Sequence, residues 1–197
     1  MPTDRTTVRR RAHRGRYDRA TVHAVLDEAL VCHLAVADEH GPVVLPTGFV
    51  RLGDELVVHG SSANRLLQLA AEGRPVCVAV TLLDGLVLAR SAFAHSMNYR
   101  SVVAFGRGRV LEGDEKAEAL AAFVEKMVPG RTAVARPPTA QELAATLVVA
   151  LPLDEASAKV RTGPPTDKEE DLALDVWAGV IPLEVVRGRP VSAEAGA

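Results

Sequence analysis

Alternating apolar and polar positions predict short β-strands along most of this chain. Segments such as CHLAVAD, VVLPTGFVRL and PVCVAVTLL carry the apolar pattern of strands, and residues typical of turns separate them. Apolar residues three or four positions apart predict helices capped by Asp18 and Asp114, and Ser61 or Ser62 is expected to cap a shorter helix. Six to seven strands with inserted helices indicate one α+β domain containing a small closed barrel.

Length and composition are those of a single globular domain. The chain has 197 residues, of which 48% are hydrophobic and 24% charged. We expect a basic N-terminal arm over residues 1–17, a domain over 18–190 and a loose C-terminal tail over 191–197. No apolar stretch is as long as a membrane-spanning helix, and no secretion signal opens the sequence. A soluble cytoplasmic protein without a membrane partner is therefore expected.

Positive charge is concentrated in the arm, although the whole chain has a formal net charge of −2. The net charge gives no reason to expect nucleic acid as a partner. Between Arg5 and Arg19 there are seven arginines and one aspartate, Asp18. Such an arm could bind nucleic acid or an acidic partner. The favoured interpretation is a solvated tail, or an arm that packs over the domain through its arginine stems.

The motifs of several common enzyme classes are missing from the sequence. Cys32 and Cys77 lie in apolar strand-like segments without a CxxC spacing, which is typical of buried thiols in a reducing compartment. None of the six histidines is at metal-ligand spacing, so no metal site is expected. The sequence also lacks a GxSxG elbow, a P-loop and a GxGxxG after a strand. A serine hydrolase and a dinucleotide-binding fold are therefore not indicated.

Residues 90–109 form the segment with the densest polar chemistry. Six hydrogen-bonding side chains occupy seven positions of its first half, namely His95, Ser96, Asn98, Tyr99, Arg100 and Ser101. Because buried polar groups need partners, one face of this segment is expected to meet a ligand, another subunit or a polar cluster. The alternative is an exposed hairpin edge that happens to be polar.

A second polar segment, HGSSANR at residues 59–65, joins a predicted strand to a predicted helix. Such a turn presents backbone N–H groups and the positive end of a helix dipole to an anion. Hydroxyls and Arg65 add donors that suit a phosphate group. The alternative is an ordinary serine cap of the helix.

Four segments together resemble the pyridoxamine 5′-phosphate oxidase-like flavoproteins, and in particular the bacterial flavin-nucleotide-binding branch that includes nitroimidazole-reductase relatives. The segments are PTGFVRLGDELVVHGSSANRLL, VLARSAFAHSMNYRSVVAFG, EASAKVRTGPPTDKEEDL and VWAGVIPLEV. They extend in the family's order over nearly the whole domain. The resemblance implies an antiparallel split β-barrel that binds FMN, usually as a homodimer with two flavins at the subunit interface.

The resemblance also assigns roles to individual residues. It places the FMN phosphate at residues 60–65, the flavin ring or ribityl chain beside Ser101, and the ring edge along residues 46–49. It places Trp177 near the flavin in the dimer, and Leu66 stands where the family often has a second basic residue. With the polar segments, this gives the candidate cofactor-binding residues: Thr47, Gly48, His59, Gly60, Ser61, Ser62, Asn64, Arg65, Asn98, Arg100, Ser101 and Trp177.

Two functions remain open from the sequence. The first is an FMN-dependent oxidoreductase acting on an unidentified small molecule, because a bound flavin supplies redox chemistry and no side chain stands out as a catalytic acid or base. The Arg-x-His-type motif that ends the enzymes forming pyridoxal phosphate is missing, so pyridoxamine phosphate is not an expected substrate. The second is a binding or regulatory protein without turnover. FAD, haem and the deazaflavin F420 are the alternatives to FMN.

Overall fold

The computed structural model describes residues 2–193, and the predicted tail beyond residue 193 lies outside them. Its α-helices are α1 (Arg19–Glu28), α2 (Arg65–Ala71), α3 (Gly113–Met127) and α4 (Ala140–Ala144). Asp18 caps α1 as predicted, because its side chain accepts a hydrogen bond from the Thr21 amide at 2.8 Å. Among the described helices, none has the length and apolar character needed to cross a membrane.

The starts of α2 and α3 differ from the sequence-based prediction. Asn64 caps α2 through its side chain, rather than Ser61 or Ser62, because Ser61 still belongs to the preceding strand. α3 begins at Gly113, so Asp114 lies inside its first turn and does not cap it. A carboxylate in that position interacts favourably with the helix dipole.

Ten strands form one antiparallel sheet, whose order is β1-β9-β6-β5-β2-β3-β4-β8-β7 with β10 paired to β5. The long strands are β2 (Val31–Asp38), β3 (Gly41–Leu52), β4 (Glu55–Ser61), β5 (Pro75–Leu88), β6 (Ser96–Arg107), β8 (Thr146–Pro152) and β9 (Glu155–Arg161). The short ones are β1 (Gly15–Arg16), β7 (Arg109–Val110) and β10 (Gly179–Pro182).

The α+β class and the antiparallel sheet confirm the prediction. The seven long strands match the expected number, and the short strands contain too few residues to show a period of two. The prediction that the sheet closes into a barrel was wrong, because β1 and β7 end the strand order of the described residues without pairing to each other.

Two compact units divide the described chain. The first comprises residues 2–82 and 100–161, and the second comprises 83–99 and 162–193. In the second unit, β10 pairs with the end of β5 from Gly85 to Leu88. A buried ion pair stabilises the same unit, since Arg90 Nη1 lies 2.8 Å from Asp167 Oδ2 and the Asp167 side chain is 3% exposed.

The first unit has two hydrophobic cores on opposite faces of β4. Leu56 and Val58 point into the larger core, which also contains Phe49 and apolar residues of α1 and α2. Val57, between them, points into a smaller core beneath α3. Because successive side chains of a strand alternate between faces, this part of the sheet is covered on both sides. The smaller core places α3 beside Gly48 and His59, two residues of the predicted cofactor site.

Candidate cofactor site

Six of the twelve predicted cofactor-binding residues lie within residues 59–65, which we call the β4–α2 turn and which extend from the end of β4 to the first residue of α2. Ser61 Oγ accepts from the Ala63 amide at 3.2 Å, and the Asn64 side chain accepts from the Leu67 amide at 3.2 Å. A Cβ atom on Gly60 would lie 2.8 Å from Leu67 Cδ1, so α2 packs closely against the strand at this point. The polar side chains of Ser61 and Asn64 therefore help to build the turn itself.

Arg65, the predicted phosphate-binding cation, is held by two carboxylates. Its Nη2 atom lies 3.1 Å from Asp38 Oδ2 and 3.1 Å from Glu39 Oε1. The Asp38 side chain is only 5% exposed. A hydrogen bond from the His40 amide, followed by the charge of Arg65, holds the pKa of Asp38 below its usual range. A phosphate at this turn must therefore compete with two acidic groups for Arg65.

Thr47, Gly48 and His59 lie near α3. A Cβ atom on Gly48 would be 2.8 Å from two ring atoms of Phe123, so a side chain there would displace the ring. The His59 and Phe123 rings pack edge to face, with their centroids 4.4 Å apart. Burial lowers the pKa of His59, which keeps its imidazole neutral at neutral pH. This part of the predicted site is apolar, and Thr47 Oγ1 makes only a long bond of 3.4 Å to the Gly48 carbonyl.

Arg100 and Ser101 are neighbours on β6 with different surroundings. Arg100 forms a two-pronged ion pair with Glu28 at the end of α1, in which Nη2 and Oε1 are 2.8 Å apart. Ser101 Oγ donates to the Lys159 carbonyl at 3.3 Å and lines a cavity of about 240 Å³. Successive strand residues point to opposite faces, which explains why only Ser101 reaches this cavity.

We call this space the arm cavity, because the N-terminal arm forms most of its wall and β6 and β9 form the rest. Its lining residues are Arg5, Thr6, Thr7, Val8, Arg9, Arg10, Ser101, Val103, Ser157 and Lys159. Four of these side chains are cationic, four carry hydroxyls and none is acidic. The arm cavity thus has the donors expected of an anion site.

The arm packs on the sheet through a few contacts, although most of its arginines are exposed to solvent. The Arg5 guanidinium lies 3.9 Å from the centre of the Phe105 ring. Thr3 Oγ1 donates to Glu155 Oε1 at 2.6 Å. Thr6 is 3% exposed and its hydroxyl accepts from the Thr3 amide at 2.8 Å. These contacts fix the arm over the strands that complete the cavity.

Asn98 and Trp177, the remaining predicted residues, belong to the second unit. Asn98 is 7% exposed and its Nδ2 donates to the Gly163 carbonyl at 3.1 Å, so it stabilises a loop. Trp177 is 63% exposed. A Cβ atom on Gly179 would lie 2.7 Å from the indole, so the ring lies over this glycine. Trp177 leaves most of its indole surface available to a ligand or a partner.

His95, also in the second unit, is exposed, and one of its ring nitrogens contacts a backbone carbonyl. Its Nδ1 atom lies 3.0 Å from the Ser91 carbonyl. A proton on Nδ1 would donate to that oxygen, which fixes the ring and leaves Nε2 as the free acceptor. Phe93, 96% exposed, and Met97, 47% exposed, lie two residues to either side. Within residues 2–193 there is no group of three acidic, cysteine or histidine side chains that could hold a metal ion without further ligands.

The structure brings together only part of the predicted site. Residues of the β4–α2 turn are contiguous, whereas Ser101 instead shares the arm cavity with Arg10 and Lys159, which sequence reasoning missed. The run of arginines was a signal for this cavity. Charge alone could not show that the arm folds back onto β9, because that depends on side-chain contacts such as the one between Thr3 and Glu155.

Comparison with protein families gives one match. The family model described as pyridoxamine 5′-phosphate oxidase matches residues 18–160. No curated protein matches the sequence.

Solved structures extend the likeness to nearly the whole chain. The flavocytochrome Anf3 from Azotobacter vinelandii is 44% identical, with a TM-score of 0.92 over 98% of this chain and 90% of that one. An FAD and haem binding protein from Mycobacterium smegmatis is 42% identical, with a TM-score of 0.89 over 93% of this chain and 91% of that one. A candidate 5-nitroimidazole antibiotic resistance protein from Bacteroides thetaiotaomicron is 21% identical, with a TM-score of 0.62 over 74% and 86% of the two chains. This last likeness shows the fold alone, and the open antiparallel sheet is consistent with the predicted split barrel.

Proposed function

Since this chain belongs to the pyridoxamine 5′-phosphate oxidase family, we propose that it is a flavocytochrome that binds both FAD and haem. The observation that carries the proposal is its 44% identity to a flavocytochrome over 98% of its length. The relative named for FAD and haem binding supports the same pairing. FAD therefore replaces FMN as the first choice of flavin, and haem becomes a second cofactor rather than an alternative.

The two cofactors supply the chemistry of an oxidoreductase: flavin exchanges electrons in pairs or singly, and haem iron exchanges them singly. The protein's part is to hold both groups and to control access to them. No acid or base is needed at a substrate for such a role, which agrees with the apolar surroundings of His59 and Gly48. We propose an oxidoreductase that acts on a small molecule. Its alternative is a redox carrier without a substrate of its own.

His95 is the residue of this chain best suited to hold haem iron. A proton on Nδ1 donated to the Ser91 carbonyl would leave Nε2 as the nitrogen through which His95 would hold haem iron. Exposed Phe93 and Met97 provide apolar surface for a porphyrin nearby. By contrast, His23 lies 3.2 Å from Asp54 and His59 packs against Phe123, so both imidazoles already have structural contacts.

The flavin contacts remain those assigned from the sequence, and the geometry ranks them. Ser101 and the exposed Trp177 have the greatest freedom to meet a ligand. Arg65 and Arg100 would contribute only after rearrangement, since each is paired with carboxylates. Asn98 acts indirectly, through the loop at Gly163.

The visible spectrum of the purified protein, with extraction and identification of the released flavin, tests the function. We expect flavin bands together with a Soret band, and FAD in the extract. His95→Ala should remove the Soret band and keep the flavin bands, whereas the control His33→Ala, on an exposed strand position, should keep both. A wild-type protein that binds flavin but no haem would overturn the proposal that it is a flavocytochrome. FMN in the extract would support the flavin predicted from the sequence instead of FAD.

A homodimer forms part of the proposal, with a second copy covering apolar surface that each unit exposes. In the first unit, Val31 is 49% exposed and Val44 is 54% exposed. In the second unit, Trp177, Val185 and Val186 are exposed by 63%, 94% and 78%. Where such side chains are contiguous, they form the apolar patches that mark association surfaces in soluble proteins. Sedimentation across a wide dilution range should show a dimer whose thermal stability rises with protein concentration. A monomer at every concentration would exclude it.

A further inference from the structure

The arm cavity is lined by four cationic side chains, of which the protein pairs only two with carboxylates. Arg5 lies 3.6 Å from Glu155, and Arg9 pairs with Asp4. For Arg10 and Lys159, no carboxylate of the described residues lies within ion-pair distance. Two cationic side chains therefore line the cavity without a compensating acid. Arg10 is exposed and Lys159 is half-buried, and neither charge is engaged by a carboxylate of the described residues, so both can act on an anion in the cavity.

Neutral donors accompany the two cations. Ser157 is 7% exposed and lines the cavity from β9, and Ser101 lines it from β6. Thr6 and Thr7 approach from the arm. Arginine forks, an ammonium group and hydroxyls are the groups that proteins combine around phosphate oxygens. The combination suits an anion with several oxygens better than a single carboxylate.

The size of the cavity points to more than one phosphate group. Its volume of 240 Å³ equals the liquid volume of about eight water molecules, at ~30 Å³ each. Such a space holds a diphosphate with room for the start of an attached ribose. The two uncompensated cations also match at least two negative charges.

Hydrogen bonds within the arm and strand pairing hold the walls of the cavity in place. The Val8 amide donates to Tyr17 Oη at 2.9 Å, and the Thr7 amide donates to the Thr3 carbonyl at 3.0 Å. β1 then pairs with β9 at Arg16 and Ala158. A preformed cavity loses little conformational entropy when it takes up a ligand.

We propose that the arm cavity binds the diphosphate group of a nucleotide, with Arg10 and Lys159 as the charged ligands. This diphosphate group can come from two molecules. It belongs either to the FAD proposed above or to a separate nucleotide, such as a dinucleotide electron donor. In the first case the inference rests on the proposed function and makes the arm part of the flavin site. In the second case the arm cavity is a separate nucleotide site.

Titration of ADP into the full chain, once stripped of flavin and once saturated with FAD, tests the proposal. ADP should bind to the stripped protein. The single variants Arg10→Gln and Lys159→Gln should each lower the affinity for ADP at least tenfold. The control Arg14→Gln changes an arginine of the same arm that does not line the cavity, and should leave binding unchanged. Circular dichroism confirms that each variant is folded.

The two sources give different results. If FAD fills the arm cavity, saturation with FAD abolishes ADP binding. The Arg10 and Lys159 variants then also bind FAD more weakly. If a separate nucleotide fills it, ADP binds equally well to the FAD-saturated protein. An absence of ADP binding to the wild type, or variants that bind like it, would overturn the proposal. Flavin uptake is read separately from visible absorbance, so a protein that binds ADP but no flavin contradicts only the proposed function.

Discussion

The β4–α2 turn and the arm cavity both gather basic and hydroxyl side chains, but they differ in how the protein treats the charge. At the turn, Asp38 and Glu39 both contact Arg65 at 3.1 Å. In the cavity, Arg10 and Lys159 have no such partners among the described residues. An arginine in a phosphate-like motif is thus a weaker indication of an anion site than an arginine whose charge the fold leaves uncompensated.

The two regions are also held in place by different forces. The turn is fixed by close packing of α2, because a Cβ atom on Gly60 or on Gly108 would overlap its neighbours. The arm is fixed by hydrogen bonds and ion pairs at the surface, including those of Glu155. In a closely packed region, even a small added volume lowers the stability of the fold. An exposed polar contact, by contrast, contributes about 1 kcal/mol or less to stability.

The largest effect is expected from Gly108→Ala, which tests the packing that supports the turn. The new Cβ atom would lie 2.5 Å from the Ala70 carbonyl of α2 and 2.6 Å from Val149. Overpacking of this kind typically costs ~1–3 kcal/mol. Urea denaturation should show this loss. The matched control is Gly106→Ala, whose Cβ atom would meet Pro152 at an ordinary 3.4 Å and should cost much less.

Next in size is the effect of Arg65 on flavin binding, which decides whether the turn is a phosphate site at all. If it is, Arg65→Ala should weaken flavin by about tenfold, since a hydrogen bond to a charged group contributes ~1.5 kcal/mol at the low end. Asp38→Asn should strengthen flavin, because it removes a competing carboxylate. Flavin titrations that are unchanged in both variants would remove the turn from the site and leave the arm cavity as the stronger candidate.

A smaller effect is expected when the arm is released from the sheet by Glu155→Gln. This removes the negative charge near Arg5 and weakens the bond that Thr3 donates. We expect a loss of stability of at most ~1 kcal/mol, because the Arg5 side chain is 53% exposed and the Glu155 side chain 28% exposed, so water screens the pair. Hydrogen exchange of residues 3–10 should become faster, while exchange in α2 stays the same. Equal acceleration in both regions would show that the arm and the turn are not held independently.

The elements of the fold could be predicted because their signals are local. The alternation in β2 and the cap at Asp18 follow from neighbouring residues. The cavity depends on contacts over long sequence distances, such as Thr3 with Glu155 and Ser101 with Lys159. The pairing of Arg65 with Asp38 has the same origin, and no spacing rule connects them. Sequence patterns therefore located candidate donors, but could not say which of them the fold neutralises.

Lys126 is a third type of cation, whose ammonium is half-buried and contacts a backbone carbonyl and an aromatic ring. Its ammonium donates to the Leu26 carbonyl at 2.8 Å and lies 3.8 Å from the centre of the Phe49 ring. Burial lowers the pKa of Lys126 from 10.5 to about 8. Between about pH 8 and 10.5 the unfolded chain then binds more protons than the folded one, so the free energy of unfolding rises with pH across this window.

Lys126→Met should remove this dependence, because methionine fills a similar volume without a charge to desolvate. The difference in unfolding free energy between wild type and variant should therefore change by at most ~1 kcal/mol between pH 8 and 10.5, since water screens a half-exposed ammonium. Urea denaturation at several pH values in this window measures it, with Lys116→Met on the same helix as the control. Parallel curves for wild type and Lys126→Met would mean that the carbonyl and ring contacts offset the cost of burial. Lys126 would then be a cation whose charge is compensated by its contacts, like Arg65. Arg10 and Lys159 of the arm cavity would remain the cations that the fold does not compensate.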